Sequence, residues 1–332
     1  MKPPARKIRW GVLGYARIAR TELIPAIERS GNSEFFALAS RDAAKLAEAR
    51  AKFPGVARTF SAYEELLHDP EVDAVYVPLP NALHREWTIK AAEHGKHVLC
   101  EKPLALNAAA GREMVAACAA HGVTLMEAFM YRYTDRTRQV LAVLRSGVLG
   151  EIKHVGSTFR FLLTNPASIK LKPELGGGAL YDVGCYPVNF LGLVVDEIAR
   201  GANHGTTQPD SVAVACVRES GVDVNFSALV KYPSGLIASI DCGFNAHKRV
   251  FAQITGTAGV LEIPDTYFDN AGALTLTVGE ERREIPVAAS DRYRLEVEDF
   301  AAAILEKRPP LFGLAETLRN AEVIDRLLAA SR

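Results

Sequence analysis

The side chains best suited to chemistry fall in a few short segments. Cys100-Glu101-Lys102-Pro103-Leu104 ends an apolar run on a carboxylate and an ammonium, with proline stiffening the exit. A lysine so placed can hold a ligand; a lysine on an open surface is merely solvated. Gly176-Gly177-Gly178-Ala179-Leu180-Tyr181-Asp182-Val183-Gly184-Cys185-Tyr186-Pro187-Val188-Asn189 carries a carboxylate and a phenol four residues apart. On a helix Asp182 and Tyr186 share one face, with Asn189 near it. That arrangement suggests a polar pocket, and it also suits a core tyrosine bonded to a core aspartate. Ala39-Ser40-Arg41-Asp42 offers a hydroxyl followed by a guanidinium, and Arg9–Ala19 holds the spacing Gly14-x-Ala16-x-x-Ala19.

These segments need elements to position them. Ile8–Gly14 reads as a buried strand and Ala16–Arg29 as a helix. Strands at Phe35–Ser40, Ala74–Val77, His97–Leu99 and Thr124–Met126 alternate with helices at Asp42–Lys52, Tyr63–His68, His84–Glu93 and Ala108–Ala120. Such alternation implies parallel pairing in a doubly wound Rossmann sheet. A strand–glycine–helix corner aims backbone N–H groups at a phosphate, which makes Gly14, Tyr15, Ala16, Arg17 and Ile18 candidate dinucleotide contacts. Ala16 and Ala19 keep the side chains small where the usual G-x-G-x-x-G has glycine. At the end of the second strand an acidic residue would favour NAD; Ser40 and Arg41 suit the 2′-phosphate of NADP. Both also suit a helix cap and a solvated arginine. Pro78-Leu79-Pro80-Asn81, with His84, forms a strand end opening a helix, Asn81 being the expected cap. It is either a rigid turn or a wall over the nicotinamide. Lys102, with Glu101, lies at the carboxyl edge of the sheet, where open α/β sheets bind ligands.

Beyond residue 128 the pattern changes. A helix at Thr137–Arg145 precedes a long strand, Ile152–Leu163, a loop, Thr164–Gly178, and a helix at Ala179–Val194. Then come β-rich runs at Val212–Arg218, Val222–Val230, Leu236–Asp241, Arg249–Gly256 and Gly259–Ile263, and two helices at Tyr293–Lys307 and Ala315–Ala330. Short turns imply an open, mostly antiparallel sheet with helices on one side. The fold class is therefore α/β with two domains, 1–128 for a dinucleotide and 129–332, an α+β domain, for substrate and oligomerisation.

Composition narrows the function. The 332 residues are 48% hydrophobic and 23% charged, with formal net charge +0, and they show no basic stripe for nucleic acid. No apolar run approaches a membrane span, and an export signal is not expected. Five scattered cysteines fit reduced thiols in the cytoplasm, and the eight histidines suggest no metal site.

Together, Trp10–Ala19, Glu101-Lys102-Pro103, Glu127-Ala128-Phe129-Met130 and Gly176–Asn189 resemble the glucose–fructose oxidoreductase / inositol dehydrogenase / rhizopine-catabolism (Gfo/Idh/MocA) family over almost the whole chain. Small residues in the glycine motif, Ser-Arg after the second strand and tyrosine at Tyr186 resemble its NADP-dependent branch of xylose dehydrogenases, dihydrodiol dehydrogenases, anhydrofructose reductases and sugar ketoreductases. The resemblance implies catalytic roles for Lys102, Asp182 and Tyr186. A free tyrosine titrates at about 10, and a nearby lysine cation favours its phenolate. Tyr186 would then exchange the alcohol proton, Lys102 would stabilise the developing alkoxide, and Asp182 would orient the substrate hydroxyl or Lys102.

Substrate contacts are expected from Lys102, Asp182, Tyr186, Tyr131-Arg132, Arg160, Asn165 and Lys170, although taken singly Arg132, Arg160 and Lys170 read better as solvated basic side chains. The expected substrate is a sugar or polyol, with a trans-dihydrodiol or anhydrofructose as alternatives. An NADP-sensing regulator is the non-enzymatic alternative. Val224, Phe226, Ala228, Leu236, Ala238 and Ile240 suggest that both faces of the second sheet are apolar, which predicts a homodimer or dimer of dimers through that sheet.

Overall fold

The computed structural model describes residues 6–201 and 207–331. Two compact units divide the chain: one holds the segment ending at Met130 together with Asp291–Thr317, the other holds Tyr131–Ser290 and the chain from Leu318 onward.

In the first unit the strands are β1 (Ile8–Leu13), β2 (Ser33–Ala39), β3 (Arg58–Phe60), β4 (Ala74–Val77), β5 (His97–Glu101) and β6 (Leu125–Ala128). All pair in parallel in the order β3-β2-β1-β4-β5-β6. Sheets covered on both faces need strands that are apolar throughout. Ala74, Val75, Tyr76 and Val77 accordingly show no exposure. Between the strands run α1 (Ile24–Arg29), α2 (Ala43–Lys52), α3 (Tyr63–Leu67), α4 (His84–Glu93) and α5 (Ala108–Ala120). Asp42 starts α2 by accepting from Ala44 and Lys45 N–H, and Asn107 starts α5 by accepting from Ala110 N–H. Asn81, the expected cap, opens a 3₁₀ turn, Asn81–Leu83, that feeds α4.

The helix Arg292–Glu306, read from sequence as part of the second domain, packs in the first unit. Phe300 lies 5.4 Å from the Trp10 ring, and Phe312 lies 5.6 Å from Phe129. Aromatic burial of this size fixes where a segment docks.

The second unit is built on β7 (Ile152–Leu162), β8 (Ser211–Glu219), β9 (Val222–Lys231), β10 (Ile237–Gly243), β11 (Asn245–Gly256), β12 (Gly259–Pro264), β13 (Gly272–Val278) and β14 (Glu281–Val287). Their order is β14-β13-β12-β11-β7-β10-β9-β8, antiparallel except for β7 beside β10. The helices α6 (Asp135–Ser146) and α7 (Cys185–Gly201) belong to this unit. The sequence reading did not include β13 and β14; β14, Glu281-Arg282-Arg283-Glu284, has too few apolar positions to signal a strand.

Strand alternation also corrects the reading of the sheet faces. Val224, Phe226, Ala228, Ala238 and Ile240 all point to the single buried face, and Leu236 is buried as well. Apolar residues of the open face include Leu229, Ile237 and Val217, exposed by 55%, 44% and 51%. One helical stretch, Pro173–Arg200, is long and apolar enough to cross a membrane by length and composition, a match the sequence reading did not anticipate, but 89% of its most apolar window is buried inside the protein. Cys100, Cys118, Cys185 and Cys242 are buried free thiols, and Cys216 is half-buried.

Candidate functional site

In the first unit, parallel pairing sets the candidate residues along one edge. Leu13 pairs with Ala39, Val12 with Tyr76, Val77 with Cys100 and Glu101 with Ala128. The strands therefore end together, and Gly14, Ser40, Pro78 and Lys102 follow at their carboxyl ends. The order reverses direction at β1, and such a switch point is where doubly wound sheets bind nucleotides.

Gly14 takes φ +93°, a conformation that disfavours any side chain. Its N–H donates to Ala39 O at 2.8 Å. A Cβ there would meet Leu79 Cδ2 at 3.1 Å and the Tyr63 hydroxyl at 3.3 Å, so the turn, the Pro78–Pro80 loop and Tyr63 crowd one point. Tyr15 is buried, whereas Arg17 is exposed and Ala16 and Ile18 half-exposed. The helix after the turn opens with a wider π-helical segment, Ala19–Leu23, before α1. Ser40 is buried, its N–H donating to Phe60 O and its Oγ accepting from Asp42 N–H at 3.2 Å. Arg41 is exposed. Burial pushes the Tyr63 phenol up, and the Arg41 guanidinium beside it pulls the other way. Tyr63 thus links Gly14 to Arg41; the sequence reading treated it only as part of a short helix.

Lys102 and Glu101 are half-buried, and Glu101 Oε1 accepts from the Tyr76 hydroxyl at 2.5 Å. His84, expected to touch cofactor, is fully buried instead. Its Nδ1 lies 2.9 Å from Pro103 O and its Nε2 2.9 Å from Leu79 O, so it ties two loops of the edge together from behind. Burial lowers its basicity, and the nearby Lys102 charge does so further. Glu127 is also buried, with Oε1 accepting from Leu104 N–H at 2.8 Å and the Thr317 hydroxyl beside the carboxyl. Burial pushes it up to about 7, against that hydrogen bond and the Lys102 ammonium.

In the second unit, Asp182 stands in a π-helical turn, Leu180–Gly184, and Tyr186 in the first turn of α7. Widened turns of this kind recur at functional sites. Asp223 holds the start of this helix by accepting from Leu180 N–H at 2.7 Å. Gly178, at φ +123°, admits that carboxylate: a Cβ would overlap Asp223 Oδ1. Burial pushes the Asp223 carboxyl up, opposed by the Leu180 hydrogen bond.

Tyr186 is 5% exposed, its ring 5.2 Å from Tyr267, 5.3 Å from Phe159 and 6.1 Å from Tyr131. The aromatic cage fixes the direction of the phenol. Tyr131 is buried and donates to Asn189 Oδ1 at 2.5 Å. Asp182 forms a two-oxygen ion pair with Lys170 Nζ, both distances 2.5 Å. Sequence reasoning named both residues but not their partnership, because a loop brings them together. Asn165 is exposed, its Oδ1 accepting from Ala167 N–H in its own turn.

Arg160 is not gathered with the others. Phe159 faces Tyr186, and alternation along β7 turns Arg160 to the opposite face, where it pairs with Asp241 at 2.7 and 2.5 Å. Among the described residues no group of three or more His, Cys, Asp or Glu side chains is placed to hold a metal ion.

A family model described as "Oxidoreductase family, NAD-binding Rossmann fold" (GFO_IDH_MocA) matches residues 8–129, and the GFO/IDH/MocA C-terminal domain matches residues 137–262. D-xylose 1-dehydrogenase (NADP(+)) 2 of Haloferax volcanii is 37% identical over 96% of this chain and 95% of its own length. Trans-1,2-dihydrobenzene-1,2-diol dehydrogenase of Xenopus laevis is 29% identical over 96% and 97%. Among solved structures, a 3-ketoreductase from Actinomadura kijaniata, in complex with NADP and TDP-benzene, matches with TM-score 0.87 and 29% identity over 98% of both chains.

Proposed function

Because this chain belongs to the Gfo/Idh/MocA oxidoreductase family, we propose that it moves hydride between NADP and a carbinol or carbonyl carbon of a sugar or polyol. The observation that carries the reading is the placement of Gly14, Arg41 and Lys102 along one carboxyl edge of the parallel sheet. The residues there fit NADP. The Gly14 turn would present backbone N–H groups to a pyrophosphate, Ser40 and Arg41 would take the 2′-phosphate, and Pro78–Asn81 would border the nicotinamide. NADP, when bound, supplies the hydride acceptor or donor.

The chain's own residues handle the proton and the charge. Tyr186 accepts the alcohol proton in oxidation and returns it in reduction. Lys102 stabilises the alkoxide between those states. Asp182, set by Lys170, orients a substrate hydroxyl. Cofactor binding is assigned to the first unit, which ends at Met130 and is rejoined by Asp291–Thr317, and substrate binding and assembly to the second. The relatives named as NADP-dependent xylose dehydrogenase and dihydrodiol dehydrogenase support a CH–OH substrate. The buried free thiols support a cytoplasmic setting, and the apolar residues of the open sheet face support a homodimer or dimer of dimers.

The test is a steady-state screen of aldoses, inositols, keto-sugars and trans-dihydrodiols with both cofactors, run beside Tyr186→Phe. The variant is expected to lose turnover by ~10²-fold or more, as for a lost acid–base group, while NADPH binding measured by fluorescence persists. Near-normal turnover in Tyr186→Phe removes that residue from the mechanism. NADPH binding without turnover on any substrate favours the sensor.

A further inference from the structure

The site described above leaves two buried ionisable side chains without a task, His84 and Glu127. They come from different elements, α4 and β6, and neither is on the surface. Their hydrogen bonds meet on a single peptide group. His84 Nδ1 lies 2.9 Å from Pro103 O, and Leu104 N–H donates to Glu127 Oε1 at 2.8 Å. Pro103 C=O and Leu104 N–H are the two ends of one amide, and in a trans amide they point in opposite directions. The peptide that follows Lys102-Pro103 is therefore gripped from both sides.

We propose that His84 and Glu127 are positioning residues for Lys102, acting through the Pro103–Leu104 peptide. The inference rests on the proposed role of Lys102 in the reaction. A lysine has four rotatable side-chain bonds, so its backbone must be fixed for the ammonium to meet one point reproducibly. Misplacing a reacting group by about 1 Å can cost ~10²-fold in rate. Two buried partners on the next peptide supply that fixation without occupying the ligand edge. His84 has a second attachment, Leu79 O at 2.9 Å by Nε2. Carbonyls only accept, so the neutral ring, with one N–H, donates to one of these two oxygens at a time. The same side chain thus lies between the Lys102 corner and the loop that crowds Gly14.

Paired substitutions separate positioning from bulk stability. Glu127→Leu removes the acceptor; Glu127→Gln keeps an oxygen for Leu104 N–H. His84→Asn keeps a donor near Nδ1, toward Pro103 O, whereas His84→Gln moves it toward Leu79 O. Each variant is measured for kcat and sugar KM, for NADPH Kd by fluorescence without sugar, and for Tm. Glu127→Leu is expected to lower kcat about tenfold or more with NADPH Kd within about threefold, and Glu127→Gln to recover most of that loss. His84→Asn is expected to hold a higher kcat than His84→Gln.

Equal losses in the conservative and non-conservative members of each pair, or losses of kcat and NADPH binding in step, overturn the inference. If Glu127→Leu does not fold, the order of the two His84 variants decides. Lys102→Ala runs alongside. Unimpaired turnover there overturns the role of Lys102 itself, a result distinct from a failed His84 or Glu127 pattern.

Discussion

Arg41 shows how far a single residue can be read. Its type and its place after β2 were both visible in sequence, and the structure adds Tyr63 as the side chain beside it. A hydrogen bond from arginine to a phosphate contributes about 1.5–3 kcal/mol, roughly ten- to a hundredfold in affinity. Arg41→Ala is therefore expected to raise the Michaelis constant for NADP by about tenfold or more and to leave that for NAD nearly unchanged. An equal change in both places the guanidinium away from the 2′-phosphate. Lys102, Asp182 and Tyr186 are singled out in the same way, from residue type within a motif, and their roles are those proposed above. What was not legible was pairing at a distance. Lys170 meets Asp182 only because a loop folds back, and Asp223 reaches Leu180 N–H from a strand of the sheet. Arg160 was misplaced for a related reason: alternation says that neighbours on a strand face opposite ways, but not which neighbour faces the site.

At the scale of elements, the helix bearing Asp182 and Tyr186 depends on how its first turn is held. The start has no capping side chain of its own, and Asp223 substitutes from β9. Gly178→Ala places a methyl on that carboxylate and forces φ +123° on a residue that resists it. We expect a loss of about 2 kcal/mol or more in stability by denaturant titration, with turnover falling in the folded fraction as the turn around Asp182 shifts. A variant with unchanged stability and rate would show that the turn tolerates the methyl. Strands with dense apolar runs were legible, β1 and β4 above all. Most helices were legible to within a few residues, α7 being read seven residues short, but their π-helical turns were not, because a wider turn leaves the residue pattern almost unaltered. β14 was missed because its exposed edge is written in glutamate and arginine.

At the scale of the whole molecule, the open face of the eight-stranded sheet is the proposed assembly surface. Leu229 and Ile237 are 55% and 44% exposed there, on the same face as the ion-paired Arg160 and Asp241. Apolar residues on an otherwise polar sheet face suit burial against another copy. Leu229→Lys with Ile237→Lys should give monomers by light scattering, since an unpaired charge opposes burial. Unaltered protein that is monomeric at micromolar concentration rules the interface out. The eight-stranded architecture was legible in outline, through short turns and β-rich runs. The faces were not, because Val224, Phe226 and Ala228 all serve one core.

The late return of Asp291–Thr317 to the first unit bears on the order of folding during synthesis. Trp10 meets Phe300, and Phe129 meets Phe312, so the Rossmann unit lacks part of its aromatic core until Phe300 and Phe312 have left the ribosome. Nascent chains usually complete their N-terminal domain first. Here the intervening sheet is translated before the first domain can close, so the nascent N-terminal half waits with apolar surface uncovered. This makes it a natural client for chaperones, and a fragment ending at Met130 a poor choice for isolated expression.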